Sequence, residues 1–172
     1  MPPFDDMGFQ WDRPHPGPFN WNLIEFTKGE YDFSIPDAYV LEAQKRGIQI
    51  MATIWPFVEW DQAFWESNPN WEKARGWTSD LPLGRYKPHD MEAYKSFART
   101  LVERYDGDGF NDMPGLIYPI KHWEIMNEPE SSRTPSSAMV FFKGTQYDYL
   151  DLMQATAEAV WSVDPTATIA NG

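Results

Sequence analysis

The sequence has no cysteine, which excludes disulfides, zinc–thiolate centres and thiol catalysis. That absence does not assign a compartment. No apolar run approaches the length of a membrane span. The opening Met1-Pro-Pro-Phe-Asp-Asp6 has neither a basic nor an apolar stretch, so no signal peptide is visible and localisation stays open. Excess positive charge is also missing. The formal net charge of -12 argues against nucleic acid or an anionic membrane as partner, because an acidic surface is repelled by both. No Gly-x-Gly-x-x-Gly or P-loop pattern comes after any strand candidate, which disfavours nucleotide binding. There is no linker, no low-complexity tract and no repeat beyond an alternation of strand and helix patterns.

What is present reads as one globular domain spanning residues 1–172. The length suffices for a sizeable core, and 42% hydrophobic against 23% charged residues fits a folded chain. The unusual figure is aromatic content, with nine Trp, eight Tyr and eleven Phe. Aromatic faces stack on the apolar faces of sugar rings as readily as on each other. Carbohydrate binding and a large aromatic core are equally good readings of that number.

The first strand candidate, Gly8 to Arg13, is halted by Pro14, Pro16 and Pro18. Next is a turn-rich loop through Trp21 to Asp32. Ser34-Ile-Pro-Asp37 supplies a helix start with Ser34 as N-cap, and Gly47 a stop. Ile48 to Ile54 is a short apolar run suited to a strand buried on both faces. Residues 55–88 lack a clear period; they have room for short helices but are read mainly as a long aromatic loop carrying Trp55, Trp60, Trp65, Trp71 and Trp77. Asp90 caps the best helix in the chain, with Tyr94, Phe97, Ala98, Leu101, Val102 and Tyr105 forming one stripe. Ile120 to Met126 is the third strand candidate. Thr145 with Asp148 opens another helix, Asp164-Pro165 ends it, and Thr166 to Ala170 is the fourth strand. Strand–helix alternation of this kind implies parallel strands joined by right-handed crossovers. It fits a barrel or an open doubly wound sheet equally well.

The segment Trp123-Glu-Ile-Met-Asn-Glu-Pro129 carries the chemistry. An apolar strand ending in Asn127-Glu128 presents two polar side chains at its carboxyl end, where parallel β/α folds assemble their active sites. Pro129 ends the strand. Glycoside hydrolysis needs a carboxylic acid that protonates the leaving oxygen, and Glu128 suits that role. The neighbouring Asn127 amide could hydrogen-bond a sugar hydroxyl. From the motif alone, a strand-end carboxylate paired with a lysine or arginine would look the same. Glu124, four residues earlier, falls on the same face of a regular strand but deeper or at its opposite end, and reads as structural.

This motif resembles the acid/base signature of clan A glycoside hydrolases, whose catalytic domain is a (β/α)8 barrel. The resemblance extends along nearly the whole chain, in order. Gly8 to Arg13, Trp21 to Glu25 and Gly29 to Phe33 are similar to the clan's second strand and the loop after it. Ala43 to Ile48 with Ile50 to Ile54 resembles its third strand, and Asp164 to Ile169 its fifth. The resemblance implies an α/β fold: a partial TIM barrel with about four parallel strands, matching strands two to five. It also implies a retaining mechanism with Glu128 as acid/base and no cofactor. Arg13 would belong to the active-site floor, a surface ion pair being the other reading. His15 could touch substrate or be an ordinary loop histidine. Trp55, just after a buried strand, could form a sugar platform.

No metal site is expected. Asp106-Gly-Asp-Gly-Phe-Asn-Asp112 places acids at alternate positions, but Ile117 stands where a calcium loop needs its bidentate Glu. It also joins a helix to the next strand, so it faces away from the catalytic end. A tight polar turn is the preferred reading.

A barrel of this type has eight strands and about 250 residues. In the clan the nucleophile is a second Glu at the end of strand seven, and no segment here matches its motif. The expectation is therefore a portion of a barrel, catalytically incomplete by itself, which is continued by further chain or pairs with another copy. The alternatives are a non-catalytic carbohydrate-binding protein and, more distantly, an unrelated α/β binding module with a flat sheet.

Overall fold

A computed structural model describes residues 8–68, 81–130 and 141–172. Four parallel strands form one sheet in the order β1-β2-β3-β4: Trp11–Asp12, Gln49–Ile54, His122–Ile125 and Thr168–Asn171. The register sets Asp12 beside Ile50, Thr53 beside Glu124, and Ile125 beside Asn171. Five helices lie between the strands: α1 (Trp21–Ile24), α2 (Ser34–Lys45), α3 (Glu59–Glu66), α4 (Met91–Tyr105) and α5 (Gln146–Val163). No helix among the described residues is long and apolar enough to cross a membrane.

Strand periodicity divides the sheet into two unlike faces. One face presents Ile50, Ala52, Ile54, Trp123 and Ile125, all buried. Against it lie Phe19, Trp21 and the stripe of α4, with Phe19 edge-on to both Trp123 and Tyr105. The other face carries Trp11, Met51, Thr53, His122 and Glu124, and it is less covered. Trp11 is 47% exposed and meets His122 edge-on at 5.0 Å.

The expected helix starts hold where a side chain caps the backbone. Asp90 accepts from the Ala93 N–H, and Thr145 forms a reciprocal capping box with Asp148. All six residues of the α4 stripe are buried. At α2 the expectation is corrected. Ser34 is the first helical residue, Phe33 occupies the N-cap without a side-chain bond, and Asp32 accepts from the Ser34 N–H instead. Asp37 is drawn away to Arg104 and Tyr105 on α4.

Two segments expected as loop contain helices. Trp21–Ile24 is a single turn, capped by Asn20 and tied to the sheet where the Trp21 N–H donates to the Trp55 carbonyl. Buried Glu25 organises the exit from this turn, accepting from the Trp21 indole and the Gly29 N–H. Glu59–Glu66 is α3, which replaces part of the loop expected at 55–88. Trp71 and Trp77 lie outside the described residues.

β1 is also shorter than expected. The excursion beginning at Pro14 lifts the chain off the sheet until Asn20 rejoins it beside Trp55.

Candidate active site

The site lies beyond the carboxyl ends of β1, β2 and β3. β3 stops at Ile125, and the backbone then turns sharply: Met126 has φ 64° and Glu128 φ 46°. Left-handed geometry costs a non-glycine residue about 1–2 kcal/mol. Two such residues flanking Asn127 mark a segment whose shape is imposed by its surroundings, as at functional sites. Gly172 runs past this turn so closely that an added Cβ would lie 2.3 Å from the Met126 carbonyl oxygen.

The turn leaves Glu128 exposed at the strand tip with Asn127 half-buried beside it. Glu124 lies below this tip, within β3. Alternation along a straight strand puts Glu124 deeper than Glu128 or at the opposite end, as a structural residue. Glu124 does lie deeper than Glu128 and buried, but it is not isolated from the tip. Arg13 bridges Glu124 to the strand tip: its Nε donates to Glu124 Oε2 at 2.6 Å and its Nη2 to Asn127 Oδ1 at 2.7 Å. The Thr53 hydroxyl donates to the same Glu124 oxygen at 2.8 Å. Glu124 is thus the residue that sequence reasoning left out of the site. Its signal was its pairing register with Thr53, which only the assembled sheet supplies.

His15 sits above this group. Its ring lies 5.6 Å from Trp55 and 6.0 Å from Phe141, centroid to centroid. Burial against these neighbours, then the charge of Arg13, lowers its pKa below 6.5, while Glu124 and Glu128 pull the other way. The imidazole is therefore neutral at pH 7 and can both donate and accept a hydrogen bond.

Trp55 requires a correction. A sugar platform needs an exposed ring face, and Trp55 is 0% exposed. Its indole N–H donates to the Pro16 carbonyl at 2.7 Å, while His15 and Phe141 cover it. The indole supports His15 from beneath. Trp60 and Trp65 serve the loop's own packing, donating to the carbonyls of Glu25 and Lys87.

Away from the site, Asp106, Asp108 and Asp112 bring carboxylate oxygens within 4.8 Å of one another. These carboxylates accept from the backbone N–H groups of Asp108, Phe110, Gly107 and Gly109. The arrangement is a polar turn at the amino end of β3.

With this geometry in view, the relatives are informative. No protein-family model matches the chain. A mannan endo-1,4-beta-mannosidase 2 from Oryza sativa subsp. japonica is 25% identical over 134 residues, covering 68% of this chain and 27% of that protein. Among solved structures, the GH39 enzyme from Xanthomonas axonopodis pv. citri superposes with a TM-score of 0.63 at 16% identity, covering 98% of this chain and 30% of that one. A GH39 β-xylosidase from Caulobacter crescentus gives 0.61 at 18% identity, covering 96% and 33%. The chain therefore has the α/β fold of part of a TIM barrel, as found in glycoside hydrolases. It spans only about a quarter to a third of the length of these proteins.

Proposed function

We propose that this chain supplies the acid/base part of a retaining glycoside hydrolase acting on a β-linked glycan. Glu128 is the general acid/base, and Asn127, Arg13 and His15 contact or frame the sugar. The observation that carries the reading is the placement of Asn127-Glu128 at the carboxyl tip of a parallel strand, within a barrel-type fold shared with glycosidases. The β linkage is suggested by the names of the relatives, a β-mannosidase and a β-xylosidase.

In this reaction protonated Glu128 donates its proton to the glycosidic oxygen as the bond to the anomeric carbon breaks. A second carboxylate captures that carbon, held roughly 5–5.5 Å from the first. Glu128, now ionised, then takes a proton from the water that releases the sugar. No residue of this sequence matches the motif of the second carboxylate, which comes from outside the strands described here.

The exposure of Glu128 supports a second reading: a non-catalytic protein that binds carbohydrate on a glycosidase-like scaffold.

The test is Glu128→Gln in the natural full-length polypeptide. With an alkyl β-glycoside, whose leaving group needs a proton, turnover falls by about 10²–10⁴-fold. Release of dinitrophenol from an activated β-glycoside survives, because that leaving group departs unprotonated. Unchanged turnover of the alkyl glycoside would remove Glu128 from the mechanism. A wild-type protein that binds sugar without cleaving it would support the second reading.

A further inference from the structure

The guanidinium between β1 and β3 has a chemical consequence for Asn127. A side-chain amide is nearly symmetric in shape, so an unrestrained Asn flips readily between presenting its oxygen and presenting its NH2. Here the oxygen is committed, because Asn127 Oδ1 accepts from Arg13 Nη2 at 2.7 Å. The amide group left for a ligand is then the NH2, a pure donor.

Arg13 could not hold that orientation alone. Its side chain is 35% exposed, and an unpaired guanidinium at a strand end would turn to water. What prevents this is Glu124, whose side chain is only 9% exposed and whose Oε2 receives both Arg13 Nε and the Thr53 hydroxyl. Thr53 and Glu124 are register partners on adjacent strands, so the carboxylate is anchored to the sheet itself. Charge-assisted contacts of this kind combine strength with fixed direction, more so for arginine's planar fork than for lysine.

We propose that Glu124 is a positioning residue. By clamping Arg13 against Asn127 Oδ1, it fixes the Asn127 amide as a hydrogen-bond donor toward a hydroxyl oxygen of the sugar bound at Glu128. The identity of the ligand rests on the proposed glycosidase function; the clamp does not.

Two measurements test this separately. The first is ¹⁵N relaxation of the Asn127 side-chain NH2 in the labelled chain, its signal assigned by its loss in Asn127→Asp. In the wild type this NH2 is as ordered as the β3 backbone. In Glu124→Gln, which keeps the shape and removes the charge, it becomes as mobile as an exposed amide while the backbone spectrum of the sheet persists. Glu124→Asp keeps the charge but withdraws the carboxylate by one methylene, and loosens the NH2 likewise if the Gln variant fails to fold. An Asn127 NH2 that is mobile in the wild type, or equally ordered in either folded variant, overturns the proposal.

The second uses the natural full-length polypeptide and compares a β-glycoside with its analogue lacking the hydroxyl adjacent to the anomeric carbon. Glu124→Gln lowers kcat/KM for the parent about tenfold, the worth of one good hydrogen bond, and leaves the analogue unchanged. An equal fall for both substrates overturns the positioning role. If the wild type cleaves no β-glycoside at all, the proposed function fails, and the amide measurement still decides the clamp.

Discussion

The packing of α4 on α5 hides one polar contact whose loss should be asymmetric. Tyr94 Oη and Thr156 Oγ1 lie 2.7 Å apart, both residues fully buried. The single Thr156 hydroxyl proton is already given to the Leu152 carbonyl at 2.8 Å, so Tyr94 must be the donor between them. Tyr94→Phe therefore removes one neutral hydrogen bond and strands no donor, at a cost of about 1 kcal/mol. Thr156→Val leaves the Tyr94 O–H buried with nothing to donate to, which costs about 1–3 kcal/mol. In the double variant the stranded donor is gone, so its cost falls below the sum of the singles by about 1–2 kcal/mol. Urea unfolding monitored by tryptophan fluorescence, with constant m values, measures all three. A Tyr94→Phe cost exceeding that of Thr156→Val, or strictly additive costs, would refute the donor assignment.

Two further outcomes concern the end of the strands away from the site. Burial pulls the Asp164 pKa up, but the Lys121 ammonium and the Thr166 contacts pull harder, leaving it below 3.8. The unfolded chain then binds the proton more readily, so this contribution to stability is complete above the unfolded pKa and is lost as pH falls through the folded one. Urea midpoints of the wild type should fall on acidification through that window, and those of Asp164→Asn should fall less. Gly107 has φ 74°, and a Cβ there would lie 2.4 Å from Pro119 Cγ. Gly107→Ala should destabilise by about 1–2 kcal/mol from the backbone strain alone, with more from the clash, read as a lowered thermal midpoint.

The parts of this fold that are legible in the sequence are those governed by local rules. The stripe of α4 and the Thr145–Asp148 box are readable because their partners lie three or four residues apart. The four-strand parallel order comes from alternation, and the resemblance to clan A glycosidases supplies the barrel. The illegible parts are set by distant contacts. The turn at Trp21–Ile24 exists because Trp55 and Glu25 hold it, and α3 buries the polar Asp61 and Gln62 while leaving Phe64 exposed, so its apolar pattern does not mark its inner face. Trp55 is expected at the surface because it comes directly after a strand, yet the proline-rich excursion returns over it. Period-two counting puts Glu124 deeper than Glu128, where it is found buried, but its tie through Arg13 to Asn127 depends on contacts across β2. Asn127 and Glu128 are readable as candidates, but the clamp that ties Asn127 to Arg13 appears only when β1 and β3 are brought across β2.

The most direct test of the central claim is a titration of the ¹⁵N-labelled chain with a β-1,4-linked oligosaccharide at millimolar concentration. The account predicts saturable shifts clustered at Arg13, His15, Asn127 and Glu128, beyond the carboxyl ends of the strands. Shifts confined to the opposite end, around Trp11, Ile48 and the Asp106–Asp112 turn, or no saturable shifts at all, would contradict it.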